Sequence, residues 1–137
     1  MQESRTFAGL FSAILQPRTP LRAACSVLFV AMVAMLFYAS AKPAGLPFIP
    51  PPLDKLVHFG YYAVLTILLI VAAGGRGVLI AALVVIGVGA ADELFQSTVP
   101  QRQADWLDFA ADIVGASVAA VVFVWMARRA RYLIADS

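Results

Sequence analysis

Residues 54–73 read DKLVHFGYYAVLTILLIVAA. Two charges and a histidine stand at the front. Behind them comes a run with no charged residue, closed at its far end by Gly74-Gly75-Arg76-Gly77. An α-helix needs roughly 20 apolar residues to cross about 30 Å of hydrocarbon, and Leu56 to Ala73 comes close to that. The stretch therefore reads as a membrane-spanning helix whose first turns are polar.

The same pattern recurs along the chain. Further apolar runs cover Ala23 to Ala41, Gly77 to Ala91 and Phe109 to Ala127. Hydrophobic residues make up 62% of the 137 and charged residues 13%. With a mean hydropathy of +0.88, the composition lies outside the soluble globular range. The third run reaches spanning length only by continuing through Asp92-Glu93-Leu94-Phe95, so its end is polar. The expected fold is all-α, an integral membrane four-helix bundle with spans near 23–41, 56–73, 77–96 and 107–127. All eight prolines lie outside the four runs, as expected if the runs are helices.

Residues 1–22 are expected to form a cytoplasmic N-terminal segment, and residues 23–131 one four-span domain. Within the first segment Phe7, Leu10, Phe11, Ile14 and Leu15 share a helical face. A short interfacial helix closed by Pro17 and Pro20 and a loosely ordered tail both fit. Ala39-Ser40-Ala41 has the form of a signal-peptide cleavage site. The run before it outlasts the roughly 7–15 residues of a signal core, so a retained span is expected. Pro43, Pro47, Pro50, Pro51 and Pro52 make the first connection stiff and non-helical. The glycine-rich turn at 74–77 makes the second and third spans an antiparallel hairpin. Gly87 and Gly89, and the row Ala111, Gly115 and Ala119, are the expected helix-packing seams.

Charge sets the orientation. Arg5, Arg18, Arg22, Arg76, Arg128, Arg129 and Arg131 fall on one side of the membrane, and Lys42, Lys55 and Arg102 on the other. The richer side is expected to be cytoplasmic. The chain then sits in a bacterial inner (cytoplasmic) membrane as a multi-pass protein, with both termini cytoplasmic. A net charge of +2, without a zinc finger, a phosphate loop or a basic heptad helix, gives no sign of nucleic-acid binding. The single cysteine, Cys25, excludes an internal disulfide and a cysteine metal cluster.

This topology gathers polarity at the outer rim. Span two begins with Asp54, Lys55 and His58, and span three ends with Asp92, Glu93 and Gln96. After Pro100 come Arg102 and Asp105, a candidate helix cap, and then Asp108 and Asp112 on one stripe of span four. Lys55, Asp92 and Asp105 also fit as wet loop residues. His58, Glu93 and Asp112 sit a turn inside their spans, where partners are required. Asp54 shares a helical face with His58, continued by Tyr61 and Tyr62. Arg102 is the expected counter-charge to the carboxylates.

In order, Asp54-Lys55-Leu56-Val57-His58-Phe59, then Glu93-Leu94-Phe95-Gln96, then Arg102 and Asp108, then Asp112 and Gly115 resemble the VanZ-like family. That family carries D-K-x-x-H-F, E-x-x-Q and R-x-x-x-x-x-D in this sequence, followed by a short polar step and a glycine. The resemblance covers roughly Asp54 to Ala120. Members commonly have asparagine where this chain has Asp112. The resemblance implies an envelope membrane protein associated with low-level resistance to the glycopeptide teicoplanin. It supplies no reaction.

Three readings stay open. The first is an outward-facing pocket of Asp54, Lys55, His58, Glu93, Gln96, Arg102, Asp105, Asp108 and Asp112 that binds a membrane-lipid head group or an envelope glycan-lipid. There Arg102 and Lys55 would meet phosphate or carboxylate, and His58 and Glu93 would orient it. The second is a membrane enzyme using His58, Glu93 and Asp108 for acid–base chemistry, with Asp54 holding His58. The third is a structural polar lock in a bundle that meets a membrane-protein partner. No cofactor is expected. Glu93, Asp108 and Asp112 do not have a recognised metal-ligand spacing, so no metal is assigned.

Overall fold

The computed structural model describes residues 18–43, 50 and 53–135. Among them are four helices and no strand: α1 Thr19–Ser40, α2 Leu53–Ala72, α3 Val78–Gln96 and α4 Trp106–Ala135. Each is long and apolar enough to cross a bilayer. Large apolar side chains such as Leu79, Ile80, Leu94 and Val121 lie exposed on the outside of the helices. In water such a surface would drive aggregation, whereas in hydrocarbon it is solvated. The chain is a multi-pass membrane protein with a four-helix bundle fold.

The boundaries differ modestly from expectation. α1 begins at Thr19, ahead of Ala23, because Pro20 stands in its first turn, where its missing N–H costs nothing. Pro20 therefore opens a helix instead of closing one. The interfacial segment read at residues 7–15 lies outside the described residues. α4 runs past Ala127 to Ala135 and carries Arg128, Arg129 and Arg131 beyond the apolar stretch. α3 continues through Asp92 and Glu93 to Gln96, as its length required.

Packing is uneven. The closest pairing is α2 with α4. Gly115 makes it possible: a Cβ there would collide with the backbone carbonyl of Phe59. Tyr62, Leu65, Val85 and Ala116 form the centre of the core, and Ile70, Ala81 and Phe123 a second layer. α1 is peripheral. Only 6% of its most apolar window is buried, against 28–33% for the other three helices. It docks through Phe29, Met32, Val33 and Leu36, and through the Tyr61 hydroxyl, which donates to the Met32 carbonyl at 2.6 Å.

The α2–α3 turn is the expected tight hairpin. Gly74 N–H donates to Val71 O and Gly75 N–H to Ile70 O. This pattern ends a helix on a residue at positive φ, here Gly74 at +76°. Arg22 Nε donates to the Ala72 carbonyl at 3.1 Å, so the start of α1 and this turn share one end of the bundle. The other end collects the C-terminus of α1, the N-termini of α2 and α4, and the C-terminus of α3.

Candidate functional site

Four helix termini deliver polar residues to that second end, and the α3–α4 connection closes it. Val99 and Arg102 bracket a tight turn, with Arg102 N–H donating to Val99 O. Pro100 supplies its first central position and Gln101, at φ +66°, its second. The turn swings Arg102 back over the end of α3, where its guanidinium donates to Gln96 Oε1 at 2.5 Å.

Asp105 is the hub between α3 and α4. Its Oδ1 accepts from Leu107 N–H at 2.8 Å, capping α4 as expected. Its own N–H donates to Glu93 Oε2 at 2.7 Å. Its Oδ2 lies 2.6 Å from Lys55 Nζ. The Lys55 ammonium holds the Asp105 carboxyl below the usual carboxylate range, helped by the Leu107 amide.

Lys55 is the central cation. Besides Asp105 it meets Asp108 Oδ1 at 2.5 Å and Asp54 Oδ2 at 3.2 Å. This corrects the sequence reading, which gave the role to Arg102. Among the described residues Arg102 makes no ion pair; its partner is the Gln96 amide. Arg102 sits at the surface end of the cluster, whereas Lys55 projects into the α2–α4 seam, where the carboxylates are.

His58 is also held differently from expectation. Its Nδ1 lies 2.9 Å from Asp112 Oδ1, across the helix pair, and its Nε2 lies 3.8 Å from Asp108 Oδ2. Asp54 does not hold it; that carboxylate turns to Lys55 and accepts the Lys55 N–H. A carboxylate only accepts, so Nδ1 carries the hydrogen in that bond, and Nε2 faces Asp108 Oδ2 beyond hydrogen-bonding distance. Tyr62 lies beneath, its ring stacked with the imidazole at 6.3 Å between centroids.

The predicted residues therefore meet in one cluster graded by depth. Asp105 is 45% exposed at the rim, His58 21% midway and Asp112 1% at the floor. Asp112 fits there because α3 presents Gly89. A Cβ on Gly89 would lie 2.9 Å from Asp112 Oδ2 and 3.1 Å from Tyr62. Gly87, expected to serve the same purpose, has open space in front of it.

Three residues belong here that the sequence reading left out. Asp92, read as a wet loop residue, is buried. Its Oδ1 accepts from Ser40 Oγ at 2.5 Å and its Oδ2 from Gln96 Nε2 at 2.9 Å. Ser40, read as part of a cleavage-like motif, thus ties α1 to α3. Tyr62 forms the floor, and its one-turn offset from His58 was the available signal. Arg102, Gln96, Asp92 and Ser40 form a continuous hydrogen-bonded chain from rim to core.

Chemically the cluster is rich in acceptors. Six carboxylates, from Asp54, Asp92, Glu93, Asp105, Asp108 and Asp112, face Lys55, Arg102 and one imidazole. Among the described residues, the buried side-chain atoms without a hydrogen-bond partner are Glu93 Oε1, Asp112 Oδ2 and the Tyr62 hydroxyl. One nitrogen or oxygen from each of His58, Glu93 and Asp108 converges within 4.8 Å. This trio differs from the Glu93, Asp108 and Asp112 set weighed from sequence, because Asp112 is engaged behind His58. Compared with known proteins, the chain matches no family profile, no curated protein and no solved structure.

Proposed function

We propose that this chain is a small bacterial envelope protein of the VanZ-like type whose polar end-pocket holds the head group of a hydroxyl-rich membrane lipid or glycan-lipid. The lipid's tails would lie against the apolar outer face of the helices. The observation that carries this reading is an unpartnered buried acceptor, Glu93 Oε1. A purely structural lock would satisfy its own acceptors, since an unmet buried polar group costs about 1–3 kcal/mol. Glu93 Oε1 is an acceptor that calls for a donor, and a sugar or glycerol hydroxyl supplies one, whereas Asp112 Oδ2 is sealed against Gly89.

This narrows the first reading of the sequence. Lys55 is already engaged by three carboxylates and Arg102 by Gln96. Lys55 is thereby committed, whereas Arg102 spends one of its five N–H donors on a neutral amide and can still meet a charged oxygen of the same head group, with hydroxyl donors meeting the free acceptor. The pocket would face the outside of the cytoplasmic membrane, with both termini inside. The collection of Arg18, Arg22, Arg76, Arg128, Arg129 and Arg131 at the opposite end supports that orientation. The polar residues that carry the family resemblance, Asp54, Lys55, His58, Glu93, Gln96, Arg102, Asp108 and Asp112, lie within this one cluster, which favours a shared role for them.

The test is native mass spectrometry of the detergent-purified chain incubated with bacterial envelope lipid extract and EDTA. The wild type should keep a hydroxyl-rich lipid species. Glu93→Gln, which exchanges one acceptor oxygen for a donor, should lose it by ten-fold or more while remaining monodisperse and helical. Retention of no lipid, or equal retention by the variant, overturns the reading.

A further inference from the structure

We propose that His58, Glu93 and Asp108 form a binding site for one divalent transition-metal ion of the zinc class. The three residues come from α2, α3 and α4, so the site exists only in the assembled bundle. Their convergence within 4.8 Å is the first observation. The second is how each is held. His58 gives Nδ1 to Asp112, Asp108 gives Oδ1 to Lys55, and Glu93 gives Oε2 to the Asp105 amide. Each side chain thus has one atom fixed by a neighbour and one left over: Nε2, Oδ2 and Oε1.

The third observation is the burial of Glu93. The residue is only 7% exposed, and its Oε1 has no hydrogen-bond partner among the described residues. A carboxylate oxygen at that depth requires a counter-charge or a donor. His58 Nε2 and Asp108 Oδ2, at 3.8 Å, are too far apart to hydrogen-bond. That separation is close to what two ligands take up around one ion, since zinc sits about 2.0–2.2 Å from nitrogen and oxygen donors. Small rotations of Glu93 and Asp108 would complete the set.

The donor set names the ion class. One imidazole with two carboxylates suits zinc or manganese; calcium and magnesium prefer oxygen alone. An imidazole braced by a carboxylate through its far nitrogen is the usual support of a metal-ligating histidine, and Asp112 supplies it. A divalent ion would also offset part of the excess negative charge among the six carboxylates. Three protein ligands leave a coordination position open, and on the proposed head-group reading a lipid hydroxyl oxygen would fill it when the ion is bound, in place of its direct bond to Glu93 Oε1. Only that last step rests on the reading; the ion site stands without it.

The experiment titrates Zn²⁺ into EDTA-stripped, detergent-purified full chain with no lipid added, against a chromophoric chelator. One ion per chain is expected. His58→Ala, Glu93→Gln and Asp108→Asn should each weaken binding at least ten-fold, and Asp112→Asn by about 10–100-fold, with size-exclusion profiles unchanged. Where a variant does not fold, X-ray absorption on the zinc-loaded wild type decides, since one imidazole nitrogen among oxygen donors is expected. Sub-stoichiometric zinc, unchanged affinity in folded variants, or a zinc shell without imidazole overturns the site. Lipid retention in EDTA tests the head-group reading separately, so either can fail alone.

Discussion

His58 Nδ1 lies 2.9 Å from Asp112 Oδ1, a bond that joins α2 to α4 at the buried end of the polar cluster. Asp112 is fully buried there. Asp112→Ala would leave an imidazole N–H without its acceptor and a void beside Gly89. We expect a loss of about 1–3 kcal/mol, the usual cost of orphaning a buried polar group. Asp112→Asn keeps an acceptor oxygen and should melt near the wild type. Thermal melting in detergent separates the two, and an Asp112→Ala protein as stable as the wild type would remove the bond from the account of the fold.

The α2–α4 seam makes a sharper prediction. A methyl group on Gly115 meets the Phe59 carbonyl, which is backbone and cannot swing aside. Gly115→Ala should push the helices apart and cost about 1–3 kcal/mol. The Lys55–Asp108 and His58–Asp112 pairs both cross this seam, so lipid retention and zinc affinity should fall together with stability. Gly87 faces open space, and Gly87→Ala should be neutral or slightly stabilising. Melting temperatures of the two variants side by side give the answer; equal effects would mean that the close approach is not real.

These two positions also show what was readable in advance. Run length alone placed the helices, because the bilayer sets it, and the polar ends then had to meet at one rim. Which glycine seats a neighbour depends on helix rotation, and sequence spacing treats Gly87 and Gly89 alike. The partner of His58 was misread for a related reason. Asp54 is its neighbour along one helix, whereas Asp112 reaches it across a seam whose axial offset no local pattern encodes. Asp92 looked wet because it stands near a loop; the end of α1, through Ser40, covers it.

Lys55 should be the electrostatic keystone of the rim. It meets Asp54, Asp105 and Asp108, and its side chain is 24% exposed, so solvent screens it only in part. Lys55→Met would leave three neighbouring carboxylates without their cation. Asp108→Asn should recover part of the loss, with a coupling energy of about 0.5–3 kcal/mol in a double-mutant cycle. Arg102→Ala, which removes a single bond to Gln96, should cost less than Lys55→Met. Additive single and double variants would show that Lys55 and Asp108 do not act as a pair.

Asp105 gives a pH signature with a definite sign. Lys55 and the Leu107 amide favour its charged form, so its carboxyl binds a proton less tightly in the folded protein than in the unfolded chain. Its contribution is therefore complete above the ordinary carboxylate pKa of about 3.9 and disappears as pH falls through the lowered folded value. Asp105→Asn keeps a helix-capping side chain and removes only the charge, so it isolates the ion pair. The melting temperature of the wild type should exceed that of Asp105→Asn at pH 7, and the gap should close in acid below the ordinary carboxylate range. A gap that persists or widens on acidification would show that Lys55 does not hold the Asp105 carboxylate.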